Sequence, residues 1–487
     1  MAPVVDVARV EYQGNGLTPL QDYGKTDRHL WISRLNASRR EKPAWARGRS
    51  TPLSRHRHRL MAQAILIGLL TGAVAVCFHL ALDYGELLRN RILDFARRYP
   101  EWGPSIVLSL ALIGVMLSAT LVIRIAPEAA GSGIPHLKIV LQGRRPFRWL
   151  RVLIVKFVST VVGVTGGLVL GRGGPSVHMG GAIGQGVANL WPGKHSEDRP
   201  ILLAAGGGAG LSAAFNSPLA GLVFVLEELE WRFASLEFFT TAVACLAADM
   251  VCRAVLGQYP TFHLASAGSP PLTLLPAFVP VGILSALLGA LFNRSLLTAQ
   301  SLIGLRSWPR LAWWLILASM VTVVGWRFPT LLGSGQDFVD GMLEGSALPP
   351  EAVALFFLIR FILTIGSSSS GAAGGLFIPI LVLGALLGWG VGETIRLFLP
   401  ELNVDSRLFA VVGMAAYFTG VVHAPLTAIV LIIEMTGNYT LILPLFIACF
   451  SALLVADWAG SLPLYEALLE NDWRKDRFKR VIDRIRS

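Results

Sequence analysis

Long apolar runs recur from about Met61 to about Leu462, parted by short polar or Gly/Pro-rich breaks. Clear examples are 60–81, 107–125, 201–226, 278–292 with its flanks, and 408–433. About 20 consecutive apolar residues cross a bilayer as a helix. The runs are continuous rather than alternating, which argues against a transmembrane barrel. The pattern predicts a polytopic, all-α membrane protein. Composition agrees, because 53% of the 487 residues are hydrophobic and 15% are charged. A soluble domain carries about 25% charged residues.

Charge changes the picture only at the ends. Residues 1–60 hold twelve Lys/Arg against five Asp/Glu, and residues 474–487 hold seven against two. These ends account for the net charge of +11, so the membrane body is close to neutral. Basic flanks stay on the cytoplasmic side, so both termini are expected there. Arg55-His-Arg-His-Arg59 abuts the first apolar run, where a topology anchor belongs. The basic tail is therefore read as an anchor, and no nucleic-acid partner is expected. The chain divides into a tail (1–58), two membrane segments (59–260 and 261–463) and a basic amphipathic helix (464–487).

The two membrane segments repeat one another. Gly131-Ser132-Gly133 recurs as Gly333-Ser334-Gly335, and the prolines of Gly171-Arg-Gly-Gly-Pro175 and Gly374-Gly-Leu-Phe-Ile-Pro379 stand 204 apart. Asn216-Ser-Pro-Leu-Ala-Gly-Leu-Val-Phe-Val-Leu-Glu227 matches His423-Ala-Pro-Leu-Thr-Ala-Ile-Val-Leu-Ile-Ile-Glu434 at an offset of 207. Order and near-constant offset identify two homologous halves, although the residues alone leave parallel and inverted arrangements open. Gly131–Pro135, Gly171–Pro175 and Gly374–Pro379 each read as a helix start at membrane depth. Broken helices at a repeat interface turn their N-termini toward an anion, because those ends carry unpaired N–H groups and partial positive charge. Ordinary kinks or packing positions are the alternative reading of each segment taken singly.

At these residues the sequence resembles the CLC family of chloride channels and proton-coupled chloride exchangers. The resemblance covers about 61–480. It rests on Gly131-Ser-Gly-Ile-Pro135, Gly171-Arg-Gly-Gly-Pro175, Gly375-x-Phe377-x-Pro379 and Glu434-Met-Thr-Gly-Asn-Tyr439. It implies a fold of about 18 tilted or broken helices in two inverted repeats, and a homodimer with one pore per subunit. It further implies a chloride site made by the Ser132 hydroxyl, the Tyr439 phenol and the backbone N–H groups of Leu376 and Phe377. All four are donors without full positive charge, as conduction requires. Arg172, Gly173 and Gly174 fall at the outer pore and gate.

Gly173 departs from the family pattern, which has a glutamate there in the exchangers and in most channels. Glycine removes both a plug for the anion path and a group that binds and releases protons. Glu228 falls at the family's inner proton-transfer position, and reads as either that group or a relic, a solvated and paired residue. Glu227 and Glu434 are expected to tie down helix ends. Lys156, Arg172, His178, Arg360 and His423 are ionisable residues in apolar surroundings, which usually face a cavity or a partner.

The leading expectation is passive, proton-uncoupled chloride permeation. The alternative is proton-coupled antiport through another acid such as Glu228. An intramembrane hydrolase built from Ser367–Ser370 and the intramembrane histidines is a remote third, since no Gly-x-Ser-x-Gly elbow occurs. No enzyme activity and no cofactor or metal are expected. Chloride and similar small anions are the substrates, and the lipid bilayer and a second copy are the partners. The absence of an apolar core before Leu60 and of modules after Leu462 suggests a bacterial inner membrane.

Overall fold

The computed structural model describes residues 52–190, 198–229, 235–262, 270–303, 307–345, 348–402 and 404–471. The expected basic tail lies almost wholly outside these residues, as does all but the start of the expected C-terminal helix. The first half contains α1 (Pro52–Arg97), α2 (Gly103–Ile125), α3 (Ile134–Leu141), α4 (Trp149–Thr165), α5 (Gly173–Leu190), α6 (Asp198–Phe215), α7 (Pro218–Phe224) and α8 (Ser235–Leu256). The second contains α9 (Val279–Ile303), α10 (Ser307–Arg327), α11 (Gln336–Leu343), α12 (Pro350–Ser369), α13 (Phe377–Phe398), α14 (Ser406–Val422), α15 (Pro425–Thr436) and α16 (Ile442–Trp458). Residues 464–471 are also helical. Among the described residues, seven helices are long and apolar enough to cross a bilayer.

Two apolar runs are not single spans. The run 201–226 breaks after Phe215 and restarts at Pro218, and 408–433 breaks after Val422 and restarts at Pro425. Proline has no N–H to continue a helix but fits its first turn. The residues between carry the bend: Asn216 and His423, 207 apart, both adopt positive φ, 52° and 65°.

The repeats are inverted. Glu227, in the π-helical turn Val225–Leu229 that extends α7, accepts hydrogen bonds from the N–H groups of Leu426 (3.1 Å) and Thr427 (2.6 Å) at the start of α15. Glu434 near the end of α15 accepts them from Leu219 (3.1 Å) and Ala220 (2.8 Å) at the start of α7. Neighbouring helices that cap each other's N-termini run antiparallel. A two-fold axis that exchanges them turns one half over relative to the other. Each carboxylate thus ties down the other half's helix end, satisfying donors that a helix leaves unpaired.

The core runs along α13 and α14, whose buried positions are occupied almost without interruption. Their counterparts α5 and α6 pack so closely that Gly180 meets the Gly206 carbonyl with no room for a side chain. Small residues permit such approach between membrane helices.

Candidate functional site

The site starts from the loop before α3. Gly133 caps that helix at φ 86° and Gly131 has φ 58°, values that L side chains seldom adopt. The loop is clamped by Lys156 of α4, whose buried Nζ donates to the carbonyls of Ala129 (2.9 Å) and Gly131 (2.6 Å). The other half repeats the device with an arginine. Arg360 donates to the carbonyls of Leu331 (2.9 Å), Gly333 (3.2 Å) and Ser334 (2.7 Å). Both cations clamp loop backbone at corresponding places in the two halves.

Extended backbone ties three loops into one junction. Gly131 exchanges hydrogen bonds with Ala372 and Gly374 (3.1 and 3.0 Å), and Gly171 does so with Gly375 (2.7 and 2.8 Å). A Cβ on Gly174 would stand 3.0 Å from both Cβ and O of Ser132 and 3.2 Å from Cα of Gly375. Ser132, Gly174 and Gly375 are therefore in direct contact. The N-termini of α3, α5 and α13 converge here, with Leu376 as N-cap and Phe377 as first residue of α13. Their N–H groups have no acceptor within the helix, and the three dipoles present positive ends to one point. The Ser132 hydroxyl is buried without a partner in the protein. Ser132, Leu376 and Phe377 are thus brought together.

Tyr439 is not. It opens the single turn Tyr439–Leu441 before α16 and is 67% exposed, so its phenol is unavailable to the junction. Tyr465 is the tyrosine packed against Phe377 of the junction. It is fully buried, its ring stacks on Phe377 with centroids 6.5 Å apart, and its hydroxyl has no partner in the protein. The sequence signal was Pro463-Leu-Tyr465, a proline-led helix start just after the last long apolar run.

Gly173 opens α5 against the Phe215 ring and Phe377, 2.8 and 3.0 Å from where a Cβ would lie. Phe215 fills the space a side chain at 173 would take. Arg172 lies over the Phe215 ring, 5.9 Å from its centroid, a cation–π distance. Asp83, Glu86 and Asp340 are the acidic groups within its electrostatic reach.

A cavity of about 480 Å³ opens to Ser132, with Glu128, His136, Arg145, Arg310 and Ser368–Ser370 among its lining residues. Glu228 lies in the π-helical turn, 5% exposed, in an ion pair with Lys138 of α3 at 2.7 Å. It is within electrostatic reach of Tyr465. Glu228 is therefore a buried, paired acid beside the junction, rather than a solvated one. The serines of the hydrolase reading lack a base: Ser367 accepts a hydrogen bond from the Val169 N–H at 3.0 Å. His136 pairs with His178, and His423 stands 3.7 Å from Asp457, so these intramembrane histidines are engaged away from Ser367–Ser370.

A profile of the family described as "Voltage gated chloride channel" matches residues 114–457. The H(+)/Cl(-) exchange transporter ClcA of Vibrio parahaemolyticus is 36% identical over 440 residues, covering 88% of this chain and 92% of the relative. ClcA of Salmonella arizonae is 34% identical over 431 residues, covering 86% and 89%. A solved slow cyanobacterial Cl-/H+ antiporter superposes with a TM-score of 0.82 at 32% identity, covering 86% of this chain and 99% of that one. These relatives overturn the expectation of passive, uncoupled permeation. That expectation rested on one position, Gly173, whereas the similarity to exchangers extends over nearly the whole membrane body.

Proposed function

The chain belongs to the CLC family, the voltage gated chloride channels of the matching profile, and from that membership we propose that it is a proton-coupled chloride antiporter. It is a multi-pass integral membrane protein. In this reading it works as a homodimer with one transport path per subunit and carries out no covalent chemistry. The observation that carries the reading is the 36% identity over 440 residues with a protein named as an exchange transporter.

The geometry supports the anion half directly. A chloride at the junction receives hydrogen bonds from the Ser132 and Tyr465 hydroxyls and from the N–H groups of Leu376 and Phe377. Neutral donors bind firmly enough for entry and loosely enough for release. Three convergent helix N-termini favour the negative charge without a counter-charge that would trap it.

The proton half cannot use position 173, which has no side chain. Glu228 pairs with Lys138 of α3 and lies within electrostatic reach of Tyr465, whose ring stacks on Phe377. A carboxylate in a buried ion pair changes its neighbour's situation when it takes a proton, because the lysine charge is then uncompensated. That charge lies on α3, the helix that the Ser132 loop begins, so proton uptake and anion occupancy act on one element. Glu228→Gln removes the titrating group while keeping its shape. In liposomes holding the purified protein, chloride-driven proton uptake is expected to fall at least about ten-fold, within the range of a positioned proton carrier, while chloride still moves. Unchanged proton uptake would remove Glu228 from the path.

A further inference from the structure

His136 of α3 and His178 of α5 form a buried imidazole pair, with Nδ1 of His136 3.0 Å from Nε2 of His178. The rings meet edge to face with centroids 5.1 Å apart. Phe147 fixes both, stacking on His178 at 5.5 Å and meeting His136 at 5.4 Å. The two ends of the pair face different surroundings. His136 is part of the cavity wall, and its Nε2 is the nitrogen not engaged with His178. His178 is completely buried, and its Nδ1 has no partner in the protein. That nitrogen abuts Gly133, where any side chain would overlap it, and Gly133 directly follows Ser132. A buried polar atom without a partner is uncommon. Here it stands at the anion loop, five residues along α5 from Gly173, or about 7.5 Å of helix rise.

We propose that the His136–His178 pair is a proton-carrying site, linking the cavity to the anion loop where position 173 offers no acid. The proposal rests on the antiport reading and assigns further proton groups to it. A proton from the cavity binds His136 at Nε2. The Nδ1 proton of His136 passes to Nε2 of His178, so His136 ends neutral and His178, which keeps its Nδ1 proton, becomes an imidazolium beside Gly133. The Nε2–H bond formed on His136 takes the proton from its cavity donor, and the Nε2–H bond formed on His178 is matched by the Nδ1–H bond broken on His136. One positive charge has moved from the cavity to the anion loop, and the reverse steps return it. The charged groups facing the pair are mainly basic: Lys156 of α4 toward both rings and Arg145 of the following loop toward His136. The cavity adds Arg310 and Glu128, and neither ring is hydrogen-bonded to a carboxylate among the described residues. An extra proton on the pair is therefore held best when an anion occupies the Ser132 loop, which links the two transported ions.

The test is simultaneous recording of chloride efflux and proton uptake by the full chain in liposomes, for the wild type, His136→Gln, His178→Gln and the double variant. Each single variant is expected to lower the proton-to-chloride ratio at least about ten-fold, as loss of a positioned proton carrier does, with no further drop in the double variant. A packing role would lower thermal stability and leave the ratio unchanged, and that result overturns the proposal while the antiport reading stands. A wild type that moves chloride without protons overturns the antiport reading, and this proposal with it. Should the variants misfold, nitrogen-15 spectroscopy of histidine-labelled wild type in lipid decides. Coupling across the His136–His178 hydrogen bond, with a protonation state that differs between chloride-loaded and chloride-free protein, is expected. Fixed protonation of both rings, or no coupling between them, contradicts the proposal.

Discussion

At the scale of single residues, the anion junction depends on hydroxyls with no other partner. Ser132→Ala and Tyr465→Phe each remove one donor, a loss of about 1 kcal/mol or about five-fold in affinity. Calorimetric titration of chloride into detergent-solubilised variants should show both, and Tyr439→Phe should match the wild type. An effect confined to Tyr439 would reverse the assignment. Gly174→Ala is expected to weaken chloride binding more than either, because its Cβ would stand 3.0 Å from Ser132 and push the loop away. The helix starts at Gly131–Pro135, Gly171–Pro175 and Gly374–Pro379 were legible because Gly and Pro mark them; Ser132, Leu376 and Phe377 came from the family resemblance, and the structure brings them to one junction. Tyr439 misled because it follows Glu434 at a suggestive spacing, while local sequence does not reveal which way a turn faces. Tyr465 and the His136–His178 pair were hidden for the same reason: both contacts join elements far apart in the chain.

At the scale of elements, the two halves use one device for two purposes. Lys156 and Arg360 clamp corresponding carbonyls, but only the first half's loop presents its serine at the junction. Lys156→Met and Arg360→Met should both lower thermal stability, since each leaves buried carbonyls unpaired at about 1–3 kcal/mol apiece. Only Lys156→Met should also weaken chloride binding. Equal loss of affinity in both would place the second Gly-Ser-Gly loop in the site as well. Glu227→Gln and Glu434→Gln weaken mirror-image caps, and thermal melts should show similar destabilisation for the two. The repeat itself was legible as an offset of about 205 residues. Its inversion was not in the offset, which carries no direction; the resemblance implied it, and the reciprocal capping shows it. The runs 201–226 and 408–433 read as single spans on hydropathy, which is blind to the positive φ at Asn216 and His423.

At the scale of the whole molecule, the question is what moves against chloride. Gly173 stands where the family pattern has a glutamate, and from that position alone a passive pore was expected. Relatedness over the membrane body points to exchange. Glu228, paired with Lys138, and the His136–His178 pair are the ionisable groups proposed to carry the proton. The central claim is coupling, and the most direct test is the reversal potential of current through the purified protein in a planar bilayer. With equal chloride on both sides and a pH difference across the membrane, a coupled antiporter reverses away from zero, and the displacement follows the proton gradient in sign and size. A reversal potential that stays at zero whatever the pH difference would contradict antiport.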